Sequence, residues 1–348
     1  MSGQASILAA LSAALLFGAS TPFAKRLAGE VSPVLLAGLL YLGSGLGLGL
    51  LRVARDRGFA SARLATSQWP WLFGAITLGG MLGPILLMFG LTRVDASSAT
   101  LLLNLEAVFT ALLAWIAFRE NAGRRVILGM GLIVAGGMTL AGTPGAMTRQ
   151  TLMGELAIAA ACLCWGMDNN LTRKISSGDA LFIASLKGLT AGITNLALAL
   201  ALGARLPHAA ILSEALIVGL IGYGVSLVLF VLALRGLGSA RAGAYFSTAP
   251  FLGAAVAIAI FHSPVSAPFW LSAGLMAAGV WLHLTEDHEH EHTHDDLIHV
   301  HPHTHDAHHR HTHAFAWDGT EPHTHEHEHP PLRHRHAHYP DLHHRHEH

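Results

Sequence analysis

Through residue 285 the chain alternates between long apolar runs and short polar breaks. Ten runs stand out, at about 6–26, 33–52, 70–91, 96–118, 125–142, 152–173, 180–203, 211–234, 239–262 and 267–284. A hydrocarbon core about 30 Å thick is crossed by a helix of roughly 20 apolar residues, so each run is long enough to span. The breaks carry Gly, Pro or charge, as in Gly29-Glu30, Arg55-Asp56-Arg57-Gly58, Asn121-Ala122-Gly123 and Ser263-Pro264. The pattern predicts an all-α integral membrane protein with ten transmembrane helices. The first run has no basic residue before Lys25, so it reads as a retained span and not a cleaved leader. Pro22, Pro84 and Pro250 fall within spans, where each predicts a kink.

Charge in the short loops sets a direction. Loops after even-numbered helices hold Arg52, Arg55, Arg57, Arg63, Arg119, Arg124, Arg125, Arg173, Lys174, Arg235 and Arg241. Those after odd-numbered helices hold only Lys25, Arg26, Arg93, Arg149 and Arg205. Cytoplasmic loops carry the basic excess, which predicts both termini in the cytoplasm of a multi-pass inner-membrane protein.

The apolar body also repeats itself. Gly131-Leu132-Ile133-Val134-Ala135-Gly136 returns as Gly274-Leu275-Met276-Ala277-Ala278-Gly279, an offset of 143 that also aligns Phe118 with Phe261. Phe17-Gly18 and Lys25-Arg26 match Trp165-Gly166 and Arg173-Lys174. The halves are expected at 5–142 and 152–284. Five helices per half is an odd number, so the two halves would enter the membrane from opposite sides, as in inverted-repeat carriers. The short helices, the five-plus-five repeat, Asn104-Leu105-Glu106 with Phe118-Arg119-Glu120, and the glycine-rich stretch Gly129 to Gly137 resemble the drug/metabolite transporter superfamily, EamA type. The resemblance covers about residues 5–284. It implies a ten-helix inner-membrane carrier, often an exporter of amino acids or other small metabolites. The second half departs from the first in having Ser263 where the first has Glu120.

Ionisable groups inside spans are costly, at least about 2.5–3.5 kcal/mol each at a helix centre, and so mark candidate sites. Glu106 sits near the middle of the fourth run, beside Asn104. Asp168 and Lys187 flank the connection between the sixth and seventh helices at equal depth, which predicts an ion pair. Lys187, Thr190, Thr194 and Asn195 follow the spacing of one helix face and predict a polar stripe, with Asn169 and Asn170 opposite it. Tyr223, Ser226 and Tyr245 are further candidates for solute contact. Cys162 and Cys164 point about 200° apart on a helix and read as small core residues.

Composition sharpens the division between body and tail. The chain is 52% apolar and 12% charged, with a mean hydropathy of +0.45; soluble domains average about 25% charged. Residues 1–285 carry a net charge of +8, whereas 286–348 carry −9 and 23 of the 26 histidines. Histidines recur at every second position in the tail: His288, His290, His292 and His294; His299, His301, His303 and His305; His311 and His313; His323, His325, His327 and His329; His334, His336 and His338; and His344, His346 and His348. With little to bury, this tail is expected to be disordered when metal-free. Imidazoles two apart share a side of an extended chain, so the tail is expected to bind Zn, Ni or Co, with interspersed carboxylates adding oxygen ligands.

Two functions follow from these features. One is a secondary carrier, exporting a small metabolite or amino-acid-like solute, with a cytoplasmic metal-binding tail and no required cofactor. The alternative is a transition-metal transporter or a metal-regulated membrane protein. The expected partners are the lipid bilayer and the transported solute or metal ion, in a monomer or homodimer that binds no nucleic acid. No nucleophile–base pair or phosphate loop suggests an enzyme.

Overall fold

The computed structural model describes residues 3–57, 64–118, 123–141, 148–175, 179–263, 265–285, 289–294, 297–303, 323–329 and 332–337. Two compact units separate near residue 286.

The first unit is helical throughout its described residues. Its elements are α1 (Gly3–Leu27), α2 (Pro33–Asp56), α3 (Trp69–Ala75), a π-helical segment Ile76–Leu82, α4 (Gly83–Leu91), α5 (Ala96–Leu102), α6 (Leu105–Phe118) and α7 (Arg124–Ala141). Then follow α8 (Arg149–Arg173), α9 (Ala180–Ala201), α10 (Ala209–Val218), a second π-helical segment Gly219–Val225, α11 (Ser226–Phe246), α12 (Ala249–Phe261) and α13 (Ala267–Leu284). Among the described residues, eight stretches are long and apolar enough to cross a membrane; α12 is a shorter apolar helix of 13 residues. Large apolar side chains such as Leu50, Phe73 and Trp281 face outward, as a lipid-facing surface requires.

One boundary differs from expectation. The break expected near 235–238 is helical, and α11 runs on to Phe246. That stretch, Arg235-Gly236-Leu237-Gly238-Ser239-Ala240-Arg241, contains no proline, and its Leu, Ala and Arg are good helix formers. The chain turns instead at Ser247-Thr248, ahead of Pro250 in the first turn of α12. A matching turn at Leu103-Asn104 separates α5 from α6 in the first half.

Glycine sets how closely the helices approach. A β-carbon on Gly45 would overlap the backbone of Gly188 and Leu189, and one on Gly38 the backbone of Asn195 and Leu196. Thus α2 and α9 pack antiparallel, backbone against backbone. Likewise Gly129 meets Gly279, and Gly136 meets Ser272, whose hydroxyl donates to the Gly136 carbonyl at 2.8 Å. Small residues at such crossings replace the hydrophobic drive that lipid cannot supply. α1 packs on the second π segment, α11 and α12; α8 packs on the first π segment, α4 and α6.

The second unit holds four strands, β1 (Glu289–His294), β2 (Leu297–His303), β3 (His323–His329) and β4 (Leu332–Ala337). β1 pairs antiparallel with β4, and β2 with β3. These strands cover part of the histidine-rich tail. Alternating His-x-His is a period-two pattern, which an extended backbone accommodates as readily as a coil. His288, His305, His311, His313, His338, His344, His346 and His348 lie outside the described residues, as does Glu120.

Candidate functional site

The first π segment is organised around Pro84. Proline has no N–H, so it cannot serve the carbonyl of Gly80 at i+4 spacing or of Gly79 at i+5 spacing. The Gly83 N–H is already given to the Leu78 carbonyl, five residues back. Two carbonyls are thus left open inside an apolar bundle, where unpaired backbone is costly. Side chains close them. Tyr41 Oη donates to the Gly79 carbonyl at 2.7 Å and Trp165 Nε1 to the same oxygen at 3.0 Å. Asn195 Nδ2 donates to the Gly80 carbonyl at 3.3 Å.

Against this segment lies the ion pair of Asp168 and Lys187, whose side chains are only 8% and 4% exposed. Lys187 Nζ donates to Asp168 Oδ2, and Thr172 Oγ1 donates to Asp168 Oδ1 at 2.9 Å. A β-carbon on Gly79 would overlap the Asp168 carboxylate, so glycine is what admits the acid there. One residue on, Asn169 Nδ2 donates to Glu106 Oε1 at 2.8 Å and to Thr110 Oγ1 at 3.3 Å. Asn170 Nδ2 ties α8 to α6 through the Thr110 carbonyl, at 3.2 Å. α8 therefore carries three consecutive polar residues that link the charged pair to Glu106.

Aromatic rings border this centre. Phe17 packs edge-on to Trp165 at 6.0 Å and to Tyr223 at 5.7 Å, and Tyr41 lies 5.6 Å from Tyr223. Tyr223 Oη is buried without a hydrogen-bond partner among the described residues, as are Asn104 Oδ1 and Asn195 Oδ1. Nearby Ser20 donates its hydroxyl to the Phe17 carbonyl at 2.7 Å. Buried polar atoms are nearly always satisfied, so these three are open valences in the interior.

The structure thus brings together Glu106, Asp168, Asn169, Asn170, Lys187 and Asn195, and joins Tyr223 to them through Tyr41. It does not gather every expected residue. Thr190 is exposed, and Thr194 Oγ1 donates to the Thr190 carbonyl at 2.8 Å, so the expected stripe divides. A helical threonine satisfies its hydroxyl on its own helix and needs no polar neighbour. Tyr245 joins a separate cluster with Ala9, Ala10, Ala233 and Ala242. Ser226 donates to the Ala13 carbonyl at 3.0 Å, binding α11 to α1. Cys162 is buried and Cys164 half-buried, both unbridged. Tyr41, Thr110 and Trp165 were not legible as site residues: the backbone left open by Pro84 recruits Tyr41 and Trp165, and Thr110 accepts from Asn169 and Asn170. Among the described residues, no group of three His, Cys, Asp or Glu side chains is placed to hold a metal ion.

At one end of α2 and α9, Arg52 and Arg55 converge on Asp179, with Arg55 Nη2 at 2.6 Å from its Oδ2. Asp179 also caps α9 by accepting the Leu181 N–H at 3.0 Å. Burial pushes this carboxyl up, but the hydrogen bonds from Arg55 and Arg52 and that of the Leu181 amide outweigh it and hold it below the usual carboxylate range. Phe182 supports the Arg52 guanidinium from 5.0 Å.

A glycine-packed bundle of apolar helices around an ion-paired, amide-lined interior defines a polytopic membrane protein of the kind that carries solutes. The chain belongs to the EamA-like transporter family, whose model matches it twice, at residues 4–141 and 152–285. It is 28% identical over 289 residues to an uncharacterized transporter from Methanothermobacter thermautotrophicus, spanning 78% of this chain and 84% of that one. A protein crystal structure at 18% identity superposes with a TM-score of 0.63, over 80% of this chain and 94% of its own, and so shares the fold.

Proposed function

We propose that the membrane body is an alternating-access secondary carrier of ten spans, built as two inverted five-helix repeats at 5–142 and 152–284. It exports a small metabolite or amino-acid-like solute across the inner membrane, with both termini cytoplasmic. The buried Asp168–Lys187 pair and the adjoining Asn169–Glu106 bond carry this reading. Such groups are expensive at membrane depth and are kept where they line a solute or proton path. The open valences of Asn104, Asn195 and Tyr223 give a polar solute atoms to bind.

Several contacts support the inversion. The two π segments, Ile76–Leu82 and Gly219–Val225, fall at the same offset of 143 as the sequence repeat. Helices in matching positions of the halves, α2 with α9 and α7 with α13, pair antiparallel through glycine. Gly18 of α1 abuts the start of α12, while its counterpart Gly166 of α8 abuts α6. Each first helix thus docks on the opposite half, which is the reciprocity a two-fold relation requires.

Glu106 is assigned the coupling role and Asp168–Lys187 the binding and gating of the solute. Transport of a solute panel, with Zn²⁺, Ni²⁺ and Co²⁺ included, into vesicles bearing the full chain tests this. Glu106→Gln is expected to abolish coupled transport while leaving membrane abundance unchanged; normal transport by that variant would remove Glu106 from the mechanism. The histidine tail favours a second reading, a carrier for or regulated by a transition-metal ion. Transport of the metals and of no organic solute would put it first.

A further inference from the structure

The strands beyond residue 288 add a specific arrangement to the tail. β1 with β4 and β2 with β3 follow one common register, the numbers of opposed residues adding to the same total in both ladders. In that register histidine stands opposite histidine five times: His290 with His336, His292 with His334, His299 with His327, His301 with His325, and His303 with His323. Directly opposed positions of an antiparallel pair place β-carbons about 4.5–5.5 Å apart, on one face. Residues two apart along a strand share that face. All five rungs therefore present histidine on the same register face of their ladder. A slip by one residue would set histidines against Glu, Arg, Thr or Ala and undo every rung.

The alternate positions have a different character. Glu291 stands opposite Arg335, Val300 opposite Glu326, and Ile298 opposite Glu328. The strand carboxylates thus occupy the other register face. A two-stranded ribbon is marginally stable at best in water, and these strands carry few apolar residues to pack. The pairing needs another source of stability.

We propose that a divalent transition-metal ion zips the two arms together, each site taking imidazoles from two adjacent rungs. His301, His303, His323 and His325 form one such set, and His290, His292, His334 and His336 another. An all-nitrogen set selects Zn, Ni, Co or Cu over Mg, Ca or Mn. Metal binding is then the folding step of the ribbon, because ligands from distant parts of the chain meet only when it closes. This rests on the tail being metal-binding and narrows it to a register and a ligand type.

The test uses the full-length protein in detergent with Cys162 and Cys164 replaced by alanine. Nitroxide labels on Val300→Cys and Glu326→Cys report an opposed rung; labels on Glu291→Cys and Glu326→Cys report positions nine residues out of register. Distances are measured by electron paramagnetic resonance in EDTA, in Mg²⁺ and in Zn²⁺. With Zn²⁺ the first pair is expected to collapse to one short, narrow distance and the second to settle near about 30 Å, at 3.4 Å per residue. Mg²⁺ should leave both as broad as in EDTA. Replacing His323, His325 and His327 with asparagine, in one arm only, should abolish the collapse of the 300/326 pair. If Zn²⁺ binds yet the two pairs respond alike, or the short distance is present in EDTA, the zipper is overturned while the tail remains a metal binder. If no Zn²⁺ binds at micromolar concentration, the zipper and the metal-binding tail fail together.

Discussion

The two π segments occupy the same place in each half and face opposite chemistry. Ile76–Leu82 meets Asp168, Lys187 and Asn195, with its Gly79 carbonyl closed by Tyr41 and Trp165 and its Gly80 carbonyl by Asn195. Gly219–Val225 meets Ser20 and Ser44. The offset of 148 that aligns Phe17-Gly18 with Trp165-Gly166 also aligns Ser20 with Asp168. Pro84, which opens the first segment, has Leu227 as its counterpart. One scaffold thus holds an ion pair on one side and neutral hydroxyls on the other. Duplication fixed the backbone; the charge was placed once.

The largest test of this asymmetry removes the charges. Asp168→Asn and Lys187→Met should each destabilise the protein by about 3–5 kcal/mol, because either leaves a buried charge without its partner. The double variant should recover most of that loss. Ser20→Ala, at the matching position, should cost no more than about 1 kcal/mol, the worth of one neutral hydrogen bond. Thermal unfolding in detergent gives all four values. Equal losses at Asp168 and Ser20 would erase the distinction between the halves.

Next in size is the space in front of each segment. A methyl group on Gly79 would run into the Asp168 carboxylate, and one on Gly222 into the Ser20 side chain. Overpacking costs about 1–3 kcal/mol. Gly79→Ala should lie at the top of that range or beyond it, since it also displaces a paired charge. Gly222→Ala should be largely relieved by Ser20→Gly, which has no counterpart for Gly79. Absence of that rescue, read from the same unfolding curves, would show that the second segment is as tightly constrained as the first.

These contrasts mark what the sequence could and could not reveal. The bundle was legible because lipid imposes a length on every apolar run, and Asp168, Lys187 and Glu106 because charge within such a run is costly. The glycine crossings could be anticipated only as close packing, since which glycine meets which depends on the register of distant helices. Thr190 and Thr194 misled because polarity alone does not separate a hydroxyl satisfied on its own helix from one aimed at the interior. Tyr41 and Trp165 gave no signal: both answer the Gly79 carbonyl that Pro84 and the wide turn leave open, a need that resides in the backbone. In the tail, the His-x-His period could not indicate which histidine stands opposite which, because that depends on the pairing of segments that lie far apart in the chain.

A smaller effect separates the two tyrosines. Tyr41→Phe gives up its bond to the Gly79 carbonyl and should lose about 1 kcal/mol, softened by the Trp165 donor that stays. Tyr223→Phe removes a hydroxyl that has no partner, so stability should hold or rise slightly. If the open hydroxyl serves the solute, Tyr223→Phe will instead raise the solute concentration needed for half-maximal transport. A stability loss at Tyr223 equal to that at Tyr41 would mean its hydroxyl is not open.

The smallest expected difference lies at the helix starts. Ser32 precedes α2 without a side-chain cap, whereas Asp179, at the matching position before α9, caps Leu181 and pairs with Arg52 and Arg55. Ser32→Ala should therefore be nearly silent. Asp179→Asn keeps an N-cap acceptor and loses only the partly exposed ion pairs, at most about 1 kcal/mol once solvent screening is allowed for. The carboxyl of Asp179 is held below its ordinary value in the folded protein, so its contribution is complete above the unfolded carboxylate pKa of about 3.9. It fades as pH falls through the lower folded value. Unfolding curves of the parent and Asp179→Asn proteins should differ at pH 7, narrow below about pH 4, and differ less in high salt. A gap that widened on acidification would mean that burial, and not the two arginines, governs this carboxyl.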